Sequence, residues 1–250
     1  MTDSPPASDR IFASPGAAAD FIFDAQVSAV FDDMAQRSVP GYREVIAMSG
    51  QLLASFLCDG DTVCDLGCAT GETIIALSRQ MSQQLPGRRQ RWLGLDSSPA
   101  MIEKAQEKAR LAAADDCQFI LADVIEYSYP ACGAFILHYT LQFIRPMQRP
   151  AFLAKLFQAL KPGGVLLLSE KVIFHDRRLN REFIARYLEF KKGRGYSKLE
   201  IAQKREALEN VLVPFSINEN LTMLRHAGFA EAAVFCQWFN FASFIAVKNG

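Results

Sequence analysis

Short apolar runs alternate with longer segments of helical periodicity through the middle of this 250-residue chain. Five of these runs have the length of strands, and they cover residues 62–66, 92–95, 118–122, 134–139 and 165–169. Nearly every position within them is apolar, which is typical of strands covered by helices on both faces. The pattern therefore predicts an α/β fold built on a mostly parallel sheet.

Two further helices are predicted ahead of the first strand, within residues 21–60. The first follows Asp24, a suitable N-cap, and places Phe31 and Met34 on its apolar face. Pro40-Gly41 ends this helix, because a proline disfavours helical geometry at the residue before it. A second apolar helical pattern follows, and we expect the pair to cover a ligand site as a lid.

The C-terminal third predicts a helical insertion over residues 176–228, in which Ser197 and Glu200 form a capping box. Apolar runs at 232–238 and 241–247 are expected to pair as an antiparallel hairpin that completes a seven-stranded sheet. The predicted organisation is a disordered N-terminus at 1–20, a helical lid at 21–60, an α/β domain at 61–175 and 229–250, and the insertion at 176–228.

Composition narrows the classes of protein that fit. Half of the residues are apolar and 27 basic residues balance 27 acidic ones, so we expect no direct nucleic-acid binding through a broad cationic surface. We find no apolar stretch long enough to span a bilayer, and the polar N-terminus does not resemble a secretory signal. Six cysteines lack any C-x-x-C pair, which favours reduced thiols in a cytoplasmic protein over disulfides or a metal site.

The stretch from residue 63 to residue 71 predicts a strand, a tight turn and a helix. Its small residues would let backbone N–H groups approach a ligand closely. Asp65 ends the strand, an acid that a phosphate-binding dinucleotide loop lacks. The stretch resembles the first motif of S-adenosylmethionine (SAM) dependent methyltransferases, D-x-G-x-G-x-G, with Ala69 at the middle glycine. A plain strand-to-helix connection is the alternative.

Three acids follow three successive strands. Asp65, Asp96 and Asp123 would lie together, because ligands of open parallel sheets bind beyond the carboxyl ends of the strands. Asp96 could accept both ribose hydroxyls of an adenosine, and Asp123 would lie beside the adenine with the Val124 N–H. Each acid alone could instead be a helix cap or turn residue. The set predicts a Rossmann-like SAM-methyltransferase fold.

Other motifs are missing. The fourth strand ends in Leu137-His138-Tyr139-Thr140, without the Asn/Asp-Pro-Pro-aromatic motif of amino-methylating enzymes. We find no G-x-S-x-G motif and no metal-ligand cluster. His138 could contact the ligand, although a single histidine at the end of a buried strand is more often a hydrogen-bonded structural residue.

Arg205 is the most informative single charge. Ile201 precedes it by four residues and Leu208 follows it by three, so we expect Arg205 on the inward face of its helix. A buried guanidinium needs an anion. An internal carboxylate such as Glu170 or Glu209 could supply it, or Arg205 could hold a substrate carboxylate with Tyr42 as its neighbour.

A second resemblance rests on several segments spread over the chain: 31–42, 140–143, 168–171, 195–197, 203–205, 208–211 and 238–241. Together they resemble the carboxy-S-adenosyl-L-methionine (carboxy-SAM) synthase family, over residues 20 to 248. The 37–42 and 203–211 segments are specific to that family, unlike the general SAM-binding turn.

The resemblance implies an enzyme that converts SAM and prephenate into carboxy-SAM, phenylpyruvate and water. Prephenate loses carbon dioxide and its hydroxyl group as it aromatises, and the deprotonated SAM methyl group captures the carbon dioxide. A partner enzyme then uses carboxy-SAM to modify the wobble uridine (U34) of tRNA. The family is usually a homodimer, and its product is expected to copurify.

The resemblance also assigns residues. It implies that Tyr42 and Arg205 are catalytic and hold the cofactor, with Arg205 paired to the new carboxylate, and that no metal takes part. The cofactor positions that match are Tyr42, Asp65, Gly67, Cys68, Ala69, Asp96, Ser97, Asp123, Val124, His138 and Arg205. Two of them depart from the family pattern: Ala69 replaces a serine and His138 replaces an asparagine.

Two other functions remain open from the sequence. An ordinary methyltransferase could use Arg205 to grip a small carboxylate substrate. A SAM-binding regulator without turnover would explain why no general base stands out, since placed bases usually mark proton-transfer enzymes.

Overall fold

The computed structural model describes residues 8–14 and 20–250. Its strands are β1 Thr62–Leu66, β2 Arg91–Asp96, β3 Cys117–Leu121, β4 Cys132–His138, β5 Leu160–Ile173, β6 Phe215–Ser216, β7 Glu231–Trp238 and β8 Phe241–Val247. The α-helices of the described ranges are α1 Ala25–Ser38, α2 Tyr42–Phe56, α3 Glu72–Gln84, α4 Pro99–Leu111, α5 Arg149–Ala159, α6 Arg177–Gly193, α7 Lys198–Leu208 and α8 Ile217–His226.

The main sheet has seven strands in the order β3-β2-β1-β4-β5-β8-β7, and the short β6 pairs with the far end of β5. β1 to β5 run parallel, whereas β8 is antiparallel to both β5 and β7. This arrangement confirms the predicted α/β class, the seven-stranded sheet and the C-terminal hairpin.

Alternating side chains of the strands fill two cores, one on each face of the sheet. Phe135 and Leu166 lie on the face covered by α5 and α8, whereas Ile136 and Leu167 lie on the face covered by α2 and α3. Because both faces are buried, the strands carry almost no polar positions, which explains the continuous apolar runs of the sequence.

Local signals set the helix ends as expected. Asp24 caps α1 by accepting the Val27 N–H at 2.9 Å, and Ser98 caps α4 directly before Pro99. Ser197 and Glu200 form the predicted capping box of α7. Gly41, at a φ of 67°, makes the left-handed turn between α1 and α2, which only glycine adopts without strain.

Two boundary expectations were wrong. The fifth strand, predicted at 165–169, already begins at Leu160, because Leu160 pairs with Cys132 and the register shift that follows forms a bulge. The predicted insertion at 176–228 also extends too far. α8 packs Met223 and Leu224 against one face of the sheet and so belongs to the α/β domain, whereas α6 and α7 remain in the insertion.

The predicted disorder of residues 1–20 is wrong for residues 8–14, and residues 1–7 and 15–19 lie outside the described residues. Asp9 is buried, accepts a hydrogen bond from the Tyr196 hydroxyl at 2.6 Å and donates its N–H to Asp33 at 2.8 Å. These contacts attach the segment to α1 and to the turn before α7. Within the described ranges, none of the helices combines the length and apolar composition needed to cross a membrane.

Candidate active site

A cavity of about 510 Å³ lies at the carboxyl ends of the parallel strands, where ligands of such sheets bind. Ligand pockets typically measure about 300–1,000 Å³. The cavity is lined by ten of the eleven residues predicted to bind SAM: Tyr42, Asp65, Gly67, Cys68, Ala69, Asp96, Ser97, Asp123, Val124 and His138. The fold thus brings together side chains that are up to 96 positions apart in the sequence (42 to 138).

The turn after β1 directs its N–H groups into the protein rather than toward the cavity. Gly67 and Cys68 both donate to the Leu95 carbonyl, at 2.8 and 2.9 Å, and Ala69 donates to Asp96 Oδ2 at 3.0 Å. The expectation that these donors approach a ligand was wrong, because the neighbouring strand already uses them. The small residues are still required: at Gly67, with a φ of 73°, a Cβ atom would lie 2.6 Å from Thr140.

Asp65 is an unpartnered buried carboxylate at the wall of the cavity. Asp65 is only 2% exposed, and its Oδ2 atom has no hydrogen-bond partner among the described residues. Burial, together with the nearby charge of Asp96, raises the pKa of Asp65 to about 7. A buried carboxylate of this kind is suited to a cationic ligand group.

Asp96 is held in one orientation by two backbone donors. Its Oδ2 atom accepts the Ala69 N–H at 3.0 Å and its Oδ1 atom accepts the Ser98 N–H at 2.9 Å. Burial raises its pKa, and these hydrogen bonds oppose that rise. Each carboxylate oxygen can accept a further hydrogen bond, so two ligand hydroxyls can still be bound.

At the end of β3, Asp123 orders the loop that follows. Its Oδ1 atom accepts the Ile125 N–H at 2.7 Å, and the Val124 carbonyl accepts the Tyr129 hydroxyl. These bonds fix the backbone where the Val124 N–H was predicted to meet an adenine.

His138 and Tyr42 form the deep polar part of the cavity. The Nε2 atom of His138 lies 3.2 Å from the Ser49 hydroxyl, whereas its buried Nδ1 atom has no partner in the described structure. Burial lowers the pKa of His138 to about 4, so the ring is neutral and can donate one hydrogen bond from Nδ1. Tyr42 is buried at the start of α2, and burial raises its pKa.

Aromatic side chains cover the other side of the cavity. The ring of Phe23 packs at 5.4 Å from Phe143 and at 6.3 Å from Phe31 of α1. Two hydrogen bonds hold this cover: the Ser98 hydroxyl donates to the Phe23 carbonyl at 2.6 Å, and the Phe21 N–H donates to Ala207 at 3.0 Å. α1 therefore covers the cavity, whereas α2 contributes Tyr42 and packs mainly against α3.

The predicted inward position of Arg205 was wrong. α7 buries Glu200, Ile201, Lys204 and Ala207, whereas Arg205 is exposed and lies beside Leu188 and Lys192 of α6. The next buried residue after Ile201 on this face is three positions on, at Lys204, rather than four positions on, at Arg205. Lys204 therefore lies toward the cavity and Arg205 away from it. Burial lowers the pKa of Lys171, and the charge of Arg205 adds to this effect.

The structure adds a cationic lobe to the same cavity, for which the sequence offered only the Arg and Lys side chains of 191–205 as candidates and no location. Lys171 of β5, Lys191 of α6 and Lys204 of α7 all line it, together with Tyr187. The i, i+3 relation between Ile201 and Lys204 is the signal that could have identified one of them. Lys171 and Lys191 could not be found this way, because only the tertiary fold brings these elements together.

Comparisons with known proteins agree with this architecture. A family model described as a methyltransferase domain matches residues 63–164. In solved structures, human N-acetylserotonin methyltransferase in complex with SAM aligns with a TM-score of 0.60 at 18% identity, over 90% of this chain and 56% of that chain. An O-methyltransferase family protein from Burkholderia thailandensis aligns with a TM-score of 0.65 at 14% identity, over 92% of this chain and 64% of that one.

Curated relatives match at much higher identity. A carboxy-SAM synthase of Desulfotalea psychrophila is 52% identical over 99% of both chains, and one of Helicobacter hepaticus is 46% identical over 96% of this chain and 99% of its own.

The fold, with its cavity at the strand ends, is that of the Rossmann-like SAM-dependent methyltransferase class, which supports SAM binding. Within that class, the chain belongs to the carboxy-S-adenosyl-L-methionine synthase family.

Proposed function

We propose that this protein converts SAM and prephenate into carboxy-SAM, phenylpyruvate and water. The observation that carries the proposal is that the predicted SAM-binding residues and a cationic lobe line one and the same cavity. SAM and a second, anionic substrate can therefore be held side by side. Full-length similarity to carboxy-SAM synthases supports the same reaction.

The proposed reaction balances without a further reactant. Prephenate loses its ring carboxyl group as carbon dioxide and its hydroxyl group as hydroxide, which leaves phenylpyruvate. The SAM methyl group loses a proton to give a sulfonium ylide, whose carbon forms the new bond to carbon dioxide. The proton and the hydroxide combine to give water.

The chain's own part in this reaction is binding and the exclusion of water. His138 is a weak base because burial lowers its pKa to about 4, so we propose that the departing hydroxide takes the methyl proton. The aromatic cover of Phe21, Phe23, Phe31 and Phe143 keeps bulk water from the ylide and retains carbon dioxide beside it.

We assign the SAM contacts as follows. Asp65 holds the amino group, Asp96 and Ser97 hold the ribose, and Asp123 and Val124 hold the adenine. His138 donates from Nδ1 to the ligand in place of the family's asparagine. Ala69 contributes through its backbone N–H, which holds Asp96 Oδ2 at 3.0 Å, and this is why the absence of a serine hydroxyl there is tolerated.

The protonation of Asp65 provides a test of its role. Since its pKa is about 7 without ligand, most of this carboxyl group is protonated at pH 6.5, and holding the SAM ammonium requires its ionised form. SAM binding at pH 6.5 should therefore release a proton, and affinity should fall as the pH drops from 7.5 to 6. Titration calorimetry in buffers of different ionisation enthalpy measures this release, and Asp65→Asn should abolish it. An unchanged release in Asp65→Asn would assign the proton to another group.

The proposed assembly is a homodimer in the cytoplasm. We propose that a tRNA-modifying carboxymethyltransferase then uses the product. Leu179 and Ile184 of α6 and Leu199 of α7 are exposed apolar side chains on one helical region, which supports an interface there. Arg205 is exposed on the same helices, so we propose that it reaches the new carboxylate of the second protomer's carboxy-SAM.

Incubation with SAM, with and without prephenate, tests the function by product mass. We expect a product heavier than SAM by one carbon dioxide, formed together with phenylpyruvate only when prephenate is present. Formation of S-adenosylhomocysteine with a methylated acid would identify an ordinary methyltransferase instead. SAM binding without any product would identify a regulator.

A further inference from the structure

The cationic lobe of the cavity is built by three separate elements. Lys191 and Lys204 are 5% and 6% exposed, and Lys171 is partly buried. The Nζ atoms of Lys171 and Lys191 lie 5.3 and 5.2 Å from the centroid of the Tyr187 ring. Those of Lys191 and Lys204 both lie 5.7 Å from the Tyr196 ring. All three lysines line the same cavity, and their ammonium groups are grouped around these two tyrosine rings.

The charges facing this volume do not balance. Asp9 is the facing carboxylate, with its Oδ2 atom 3.8 Å from Lys204 Nζ, and the Ser38 hydroxyl accepts a hydrogen bond from that Nζ at 3.1 Å. Asp33 also acts on Lys204, but it is paired with Arg37 at 3.0 Å, so this pair adds no net charge. When all three lysines are protonated they face one carboxylate, which leaves two positive charges that only a bound anion can compensate.

The neighbouring Glu170 does not supply the missing charge. Glu170 does not line the cavity, its Oε1 atom has no partner in the described residues, and burial raises its pKa well above the usual value, which favours the uncharged form. Burial lowers the pKa of Lys191 to about 7 and that of Lys204 to about 8. Buried cations are costly unless an anion pairs with them.

A path of aromatic rings connects this lobe with the SAM side of the cavity. The Tyr42 ring lies 6.3 Å from Tyr139, Tyr139 lies 6.2 Å from Phe241, and Phe241 lies 5.0 Å from Tyr187. Tyr42 and Tyr187 line the same cavity as Asp65 and Lys191. A molecule held by the lysines therefore shares one aromatic-walled space with the SAM end.

We propose that Lys171, Lys191 and Lys204 bind the two carboxylates of the carboxyl-donating substrate, a small cyclic dicarboxylate. A dianion compensates the two excess charges, and the rings of Tyr187, Tyr139 and Phe241 pack against its carbon ring. Lysine suits this task because each ammonium is a point charge on a flexible stem that can meet either carboxylate. The identification of this dicarboxylate as prephenate rests on the proposed function.

The test compares matched ligands and matched variants. The probes are cis-cyclohexane-1,3-dicarboxylate and cyclohexanecarboxylate, which share a ring but differ by one charge. Calorimetry on the SAM-loaded protein should give at least tenfold tighter binding of the dicarboxylate. Lys191→Met and Lys204→Met should each weaken the dicarboxylate at least tenfold, while Lys192→Met, an exposed lysine of α6, should leave it unchanged.

Two further measurements separate binding from structure. The KM for prephenate should rise at least tenfold in both lysine variants, while the Kd for SAM changes less than twofold and circular dichroism shows the wild-type fold. Methionine keeps the stem of lysine, so the packing is largely retained. If SAM affinity falls as much as dicarboxylate affinity, the cluster does not recognise the second substrate and the inference fails.

The inference and the proposed function can fail separately. Wild-type protein that makes no carboxy-SAM but binds the dicarboxylate through Lys191 and Lys204 would retain the inference and overturn the function. Protein that makes carboxy-SAM with an unchanged prephenate KM in both variants would retain the function and overturn the inference.

Discussion

Replacing Asp96 with alanine is expected to weaken SAM binding by about 2–4 kcal/mol, or roughly 30- to 800-fold in Kd, because two charge-assisted hydrogen bonds to the ribose are lost. The carboxylate is positioned for this role before SAM arrives, since the Ala69 and Ser98 N–H groups each hold one of its oxygens. Calorimetry with SAM measures the effect directly.

Two variants control for this change. Glu103→Ala removes an exposed acid from α4 and should leave the Kd unchanged. Asp96→Asn keeps the size of the side chain and an acceptor for one of the two backbone N–H groups, so it should also lose most of the ribose interaction, and circular dichroism checks that the fold is kept. An Asp96→Ala protein with wild-type SAM affinity would exclude Asp96 from the site.

The succession of strands along the chain and the acids at their ends could be predicted from the sequence, because both depend on local patterns. The bounds of β1 agree with the prediction residue by residue, and α3 begins directly after the predicted turn. Asp65, Asp96 and Asp123 then meet because parallel strands end at one edge of the sheet. The part of the site that is formed by residues at the ends of the strands was therefore predictable.

What could not be predicted depends on tertiary contacts. The helical phase of α7 could not be decided from the sequence, because Ile201 and Leu208 allow an inward face at either Lys204 or Arg205. The structure selects Lys204, whose ammonium reaches Ser38 of α1 and Asp9. Those partners lie 166 and 195 residues away (204 − 38 and 204 − 9), beyond any local pattern.

The corrected position of Arg205 also changes which basic residues are assigned to the cavity. The sequence offered Arg205 as the anion partner inside the cavity, whereas the structure places three lysines there and leaves Arg205 at the surface. The lysines are available to the second substrate. Because Arg205 is exposed and does not line the cavity of its own protomer, its proposed role in binding a carboxylate depends on the proposed homodimer.

Arg205→Lys is expected to keep SAM binding and to lose most of the preference for carboxy-SAM over SAM, about 1.5–3 kcal/mol or roughly 10- to 150-fold. Carboxy-SAM differs from SAM by one carboxylate, and lysine keeps the charge but lacks the planar fork that binds a carboxylate through two hydrogen bonds. Competitive binding of both ligands to wild type, Arg205→Lys and Arg205→Ala measures the preference. Equal affinity ratios in all three proteins would make Arg205 a structural residue only.

The exposed position of Arg205 allows a second measurement, because an arginine that acts across the interface can be supplied by the other subunit. Light scattering should first show a dimer at micromolar concentration; a monomer would contradict the proposed assembly. Arg205→Ala and Asp96→Ala proteins should each be nearly inactive alone. Their mixed dimer contains one site with both residues, Asp96 from one protomer and Arg205 from the other, so mixing should restore activity. If the mixed dimer stays inactive, Arg205 does not act across the interface, because a contact within each protomer leaves every site of that dimer incomplete.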